Sequence, residues 1–191
     1  MIRGIAIAML AGLTAAPAPA DPLGLIDYPA LIAEHAERSV PLAEGARRIF
    51  LPDGVELTVD AQQSLTSAID RSGQTALGCV VRLMAEMSAM ARTCPGAVSP
   101  GQADYLDSAA ALVLDAYTDA SGIAQGPVGE RFEALVRTRS ADAGLCLVME
   151  EDAANIRGLL TQPGLERVAR VATPARLPVD EPCTLPLMVQ P

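Results

Sequence analysis

Leu77-Gly78-Cys79-Val80-Val81-Arg82-Leu83-Met84-Ala85-Glu86-Met87-Ser88-Ala89-Met90-Ala91-Arg92-Thr93-Cys94, with Pro95-Gly96 directly behind it, is the stretch whose reading decides the fold. Leu77, Val80, Met84, Met87 and Ala91 recur at spacings of 3 and 4, joined by Val81, Leu83 and Met90. That is the period of a helix with one buried face, and Pro95-Gly96 stops it. Ser99-Pro100-Gly101-Gln102 then starts a second helix: a serine cap, proline at the first position and glutamine at the third. Leu106, Ala109, Leu112 or Val113, and Ala116 form its apolar stripe, and Gly122 closes it. Gly126-Pro127 opens a third helix with Val128, Phe132, Leu135, Val136, Ala143 and Cys146 or Leu147 on one side. This helix is expected to continue through Ile156 to Leu160, with a kink near Gly144, and to pair Glu133 with Arg137 at i,i+4.

Working upstream, Asp60 with Gln63 has the form of a capping box, and Leu65 and Ile69 share a helical face. The helical body is therefore expected to span 61–162. Before it, Val55, Leu57 and Val59 alternate with Glu56 and Thr58, and Leu51-Pro52-Asp53-Gly54 carries the residues of a type I turn. This predicts a hairpin over 48–59, in an arm 21–60 that also holds a short helix around Leu31 and Ile32, with His35 or Ala36 inward. Downstream, a short amphipathic piece covers Leu165 to Val171, within a tail 163–191 whose prolines at 174, 178, 182 and 186 predict irregular or extended chain. The fold expected is mainly α: a small antiparallel bundle of about three long helices with an N-terminal β-hairpin arm, locked by disulfides.

Residues 1–20 read as a secretory signal peptide. Arg3 supplies the charged start, Gly4 to Ala16 the short apolar region, and Ala18-Pro19-Ala20 the cleavage site. The apolar region is too short to span a bilayer, which takes about 20 residues. Cleavage after Ala20 would leave 171 residues from Asp21 onward and lower the formal charge from −9 to −10, because Arg3 is lost. An acidic chain of this kind is repelled by nucleic acid and by anionic lipid. All 14 basic residues are arginine.

The four cysteines, Cys79, Cys94, Cys146 and Cys183, all follow the signal and contain no C-x-x-C pair, so in an oxidising compartment they predict two disulfides. Within one helix, Cys79 and Cys94 would stand about 22 Å apart, far beyond the Cα separation of about 4.4–6.8 Å that a disulfide requires. Three antiparallel helices bring Cys94 and Cys146 level, which leaves Cys79 for Cys183.

Catalytic chemistry is poorly supplied. The single histidine, His35, belongs to no recognisable triad or nucleophile motif. Met84, Met87 and Met90 place three thioethers within two helical turns, a set that suits Cu(I), although the same residues continue the apolar stripe. No motif implies a cofactor. The functional expectation is a soluble periplasmic binding or interaction module of the cell envelope, not an enzyme, whose partner is an envelope protein or a small ligand. The alternative is copper handling by the methionine triplet.

Overall fold

Alternation in Val55-Glu56-Leu57-Thr58-Val59 buries the odd positions, and the strand built on them forms the middle of a sheet. The computed structural model describes residues 20–146, 158, 161–172 and 176–183. Four strands, β1 (Ser39–Pro41), β2 (Arg47–Phe50), β3 (Val55–Val59) and β4 (Leu65–Asp70), pair antiparallel in the order β1-β2-β3-β4. Ile49, Leu57 and Ala68 lie in register on the inner face, and all three are buried. The hairpin over 48–59 is present, with the Gly54 N–H bonded to the Leu51 carbonyl at 3.2 Å. Gly54 takes φ 90°, a conformation that disfavours any side chain.

The stretch 60–70 corrects the sequence reading, because it is a turn and a strand and not the start of a helix. Asp60 Oδ1 accepts from the N–H groups of Gln62 and Ser64 at 2.9 and 2.8 Å, and Gln63 is left-handed with φ 64°. Asp60 thus builds a tight side-chain turn, which competes with helix initiation for the same N–H donors. Leu65 and Ile69, four apart, belong to β4, whose hydrogen bonds go to β3. The hairpin is therefore the centre of a four-stranded meander, and the helical body begins at residue 77.

A short helix α1 (Tyr28–Glu34) precedes the sheet, capped by Asp27. The longer helices among the described residues are α2 (Leu77–Thr93), α3 (Pro100–Ser121), α4 (Gln125–Ser140) and α5 (Gln162–Ala172). α2 is central and packs on both α3 and α4, while α5 lies on α3. The cap of α3 is complete: Ser99 Oγ accepts from the Gln102 N–H, and Gln102 Oε1 accepts from the Ser99 N–H at 3.0 Å. Its inward stripe is Leu106, Ala109, Ala110, Val113 and Tyr117. Of the two alternatives read at 112 and 113, Val113 faces the core and Leu112 is exposed. α4 ends at Ser140, short of the expected kink at Gly144, and Ala141–Gly144 form a turn. The expected continuation through Ile156, like the signal segment 1–19, lies outside the described residues.

Cys94 is bonded to Cys146 across 52 residues, with Cα atoms 5.6 Å apart, and Cys79 to Cys183 across 104 residues at 5.2 Å. Cys94 terminates α2, and Cys146 returns to it after the turn that follows α4. The segment 176–183, expected to be irregular or extended chain tied by a disulfide, is a strap between the sheet and the first turn of α2, buried over 176–179. Val179 O accepts from the Gly78 N–H at 2.9 Å, Pro182 O from the Ala76 N–H at 3.1 Å, and Glu181 O from the Asp70 N–H at 2.7 Å. A Cβ at Gly78 would stand 2.5 Å from the Val179 oxygen, so glycine is what lets the strap approach the helix. Proline at 178 and 182 is compatible with this arrangement, because the strap bonds through the N–H groups of Leu177 and Val179 and the carbonyls of Val179, Glu181 and Pro182.

Candidate functional site

Three arrangements of charged side chains flank the strap and the sheet. On the inner face, Asp70 and Arg176 form a buried ion pair at 2.7 Å. Asp70 also accepts from the Ser72 N–H at 2.8 Å, and Arg176 donates to Gln74 Oε1 and to the Thr75 carbonyl. This pair closes the sheet end of the strap, and Asp53 Oδ2 holds the Leu177 N–H beside it at 2.6 Å.

At the other end, Asp180 pairs with Arg82 of α2. Close by, the Asp21 carboxylate is buried and takes N–H donors from Leu23, Leu25 and Ile26, at 3.0, 2.6 and 3.0 Å, and the Tyr117 hydroxyl at 2.8 Å. Burial first, then the charge of Asp21, pushes the Tyr117 hydroxyl far above its ordinary range. Burial, with Asp21 and Asp180 adding to it, does the same to Tyr28. Both phenols are therefore neutral throughout the physiological range. Tyr117 was passed over in the sequence, although it extends the stripe 106-109/110-113 by one further step of four.

The third arrangement is the outer face of the sheet. Val40 pairs across from Arg48, and Phe50 stands two residues further along the same face. Val40 is 48% and Phe50 45% exposed. Beneath them lies Glu56, itself buried, with Arg48 Nε at 3.1 Å and Arg71 bonded through Nε and Nη2 at 3.2 and 3.0 Å. Two guanidinium groups thus clamp one carboxylate, and two apolar side chains project next to the clamp. Such a surface offers two apolar side chains beside an ion cluster that keeps one positive charge in excess.

The sequence-singled residues fall as follows. Met84, Met87 and Met90 are 1%, 2% and 5% exposed and sit in the core among α2, α3 and α4. Their thioethers are packing groups there, a placement that lends the copper reading no support. Among the described residues no group of three His, Cys, Asp or Glu side chains is placed to hold a metal ion. His35 caps the end of α1 with Glu34 4.0 Å away. Glu133 pairs with Arg92 of α2, through two bonds of 2.7 and 2.8 Å, in place of an i,i+4 partnership with Arg137. The Arg92 hydrogen bonds hold the Glu133 carboxyl below its usual range, and Arg137 adds to the effect as the smallest of the causes. No helix among the described residues is long and apolar enough to cross a membrane.

No protein-family model, curated protein or solved structure matches the chain.

Proposed function

We propose that this chain is exported through its N-terminal signal and acts in the cell envelope as a disulfide-locked binding module, not as an enzyme. The observation that carries the reading is the outer sheet face. Exposed Val40 and Phe50 project from a sheet whose opposite face buries Ile49, Val55, Leu57, Val59 and Ala68. Exposed apolar side chains grouped on one sheet face are what an interaction site would use. The occupant it suits is an apolar segment of another envelope protein. Arg48 and Arg71 share the one Glu56 carboxylate and leave a positive charge in excess, so an acidic protein approaching this face meets less of the repulsion that a chain of formal charge −9 exerts elsewhere. The two disulfides and the absence of free cysteine in the structure fit an oxidising compartment.

A photocrosslinker tests the reading in living cells. Placed at Phe50, it is expected to give a discrete protein adduct, and Val40→Ser in the same chain is expected to weaken that adduct severalfold. Placed at exposed Asp104 on α3, it is expected to give none. Equal yields from the two positions, or no adduct at Phe50, would remove the sheet face as the binding surface.

A further inference from the structure

The Ala20–Asp21 peptide bond lies against Asp180. The Asp180 N–H donates to the Ala20 carbonyl at 2.9 Å, and covalent geometry then puts the Asp21 nitrogen within about 5 Å of the Asp180 nitrogen. One Asp180 oxygen bonds Arg82, while the other, Oδ1, is buried without a hydrogen-bond partner, and so is the Tyr28 hydroxyl. Asp21 itself is held in place from the far side by the four hydrogen bonds to its carboxylate. Buried polar atoms in native proteins are rarely left unpaired, and both belong to side chains close enough to Asp21 to feel its charge.

We propose that the α-ammonium group created at Asp21 by cleavage after Ala20 is the missing donor. It pairs with the Asp180 carboxylate, donates to the Tyr28 hydroxyl oxygen, and latches the new N-terminus onto the strap. The inference rests on the reading of residues 1–20 as a cleaved signal. In the uncut chain the same nitrogen is a neutral amide with one N–H. Cleavage supplies a positive charge and three donors, at the cost of the bond from Asp180 to Ala20. Maturation thereby tightens the joint between the N-terminus, the strap and α2.

The charges that face the amine set the sign. Around Asp180, the carboxylates of Asp21 and Glu181 add to the negative charge that the amine meets, while Arg82 on α2 and, more weakly, Arg139 on α4 subtract from it; burial, first of the causes, holds the Asp180 carboxyl above its usual range, and Tyr28 on α1 and Tyr117 on α3 are neutral. With Asp180 as partner the amine's folded pKa lies above its unfolded value of about 7.7–8.0. The stabilisation is then complete below that value and is lost as pH rises through the folded pKa.

Lysine is absent, so the α-amine is the single primary amine of the mature protein, and an amine-selective acylating reagent reports on it alone. Three folded chains are compared: one beginning at Asp21, one beginning at Ala20, and the Asp21 form carrying Asp180→Asn. The expected result is an amine pKa at least one unit higher in the Asp21 form, with labelling near pH 8 about tenfold slower than in the Ala20 form. Asp180→Asn is expected to return both to ordinary values; should that variant fail to fold, the Ala20 form carries the comparison. An unchanged or lowered pKa in the Asp21 form would overturn the latch, since burial without a partner lowers an amine pKa. The intact mass of protein recovered from the envelope is a separate readout. A native N-terminus other than Asp21 overturns the export reading, and with it the latch in the native protein, whatever the labelling shows.

Discussion

Asp70→Ala is expected to destabilise the protein by about 3–5 kcal/mol, the usual cost of removing one partner from a buried ion pair. Both members are out of solvent, so alanine at 70 strands the Arg176 guanidinium in the core. It also leaves the Ser72 N–H without its carboxylate acceptor. For a domain whose whole stability is about 5–15 kcal/mol, such a loss takes much of the margin. Urea unfolding at pH 7 measures it. The double variant Asp70→Ala/Arg176→Met is the informative control, because it removes both charges and keeps an apolar side chain under the strap. It is expected to recover a large part of the lost stability. A double variant no more stable than the single one would mean that the two residues act independently.

Removing the Cys79–Cys183 bridge, as Cys79→Ala/Cys183→Ser, is expected to cost about 4–5 kcal/mol in the chain-entropy account of a loop of this length. The loop spans 104 residues and encloses the whole helical body. On the sequence alone, this bridge would serve mainly to restrain a loose tail. The buried strap changes that expectation: the unfolding midpoint of the whole domain should fall, not only the order of the last residues. Native-state hydrogen exchange separates the two cases. The amides of Ala76 and Gly78, which donate into the strap, are expected to lose protection along with the helical core. Loss confined to residues beyond 176 would mean that the strap is an appendage.

What was legible in the sequence is what short-range chemistry decides. The stripe Leu77, Val80, Met84, Met87 defines α2, the Ser99–Gln102 cap starts α3, and Leu51-Pro52-Asp53-Gly54 turns the β2–β3 hairpin. Each is a signal contained within a few residues. β4 was misread because Leu65 and Ile69, four apart, mimic a helical face, and Asp60 with Gln63 mimics a capping box. Only the ladder to β3 decides for a strand, and that pairing is set by hydrogen bonds between segments with no local mark. The strap was missed for a related reason. Four prolines signal irregular chain, but they do not prevent carbonyls from accepting bonds from Ala76, Gly78 and Asp70. The pair Asp70–Arg176 joins residues on opposite sides of the helical body, which no local pattern reveals. Glu56, alternating in β3, read as an outward polar residue. It does face outward, yet Arg48 and Arg71 bury it, and the flanking Phe50 is what stays exposed. The Met84-Met87-Met90 triplet was legible as two chemistries, and its burial in α2 places it with the core.

The protein proposed here is an exported chain in which one disulfide, Cys94–Cys146, closes the helical body and the other, Cys79–Cys183, ties the C-terminal strap to α2. Non-reducing peptide mapping of the protein recovered from the envelope fraction tests it most directly. Cleavage after arginine separates all four cysteines, since Arg82 and Arg92 lie between Cys79 and Cys94. The account predicts one crosslinked peptide pair containing Cys79 and Cys183, another containing Cys94 and Cys146, and an N-terminal peptide beginning at Asp21. A crosslink joining Cys79 to Cys94, free thiols at these positions, or an N-terminal peptide that retains residues 1–20 would contradict it.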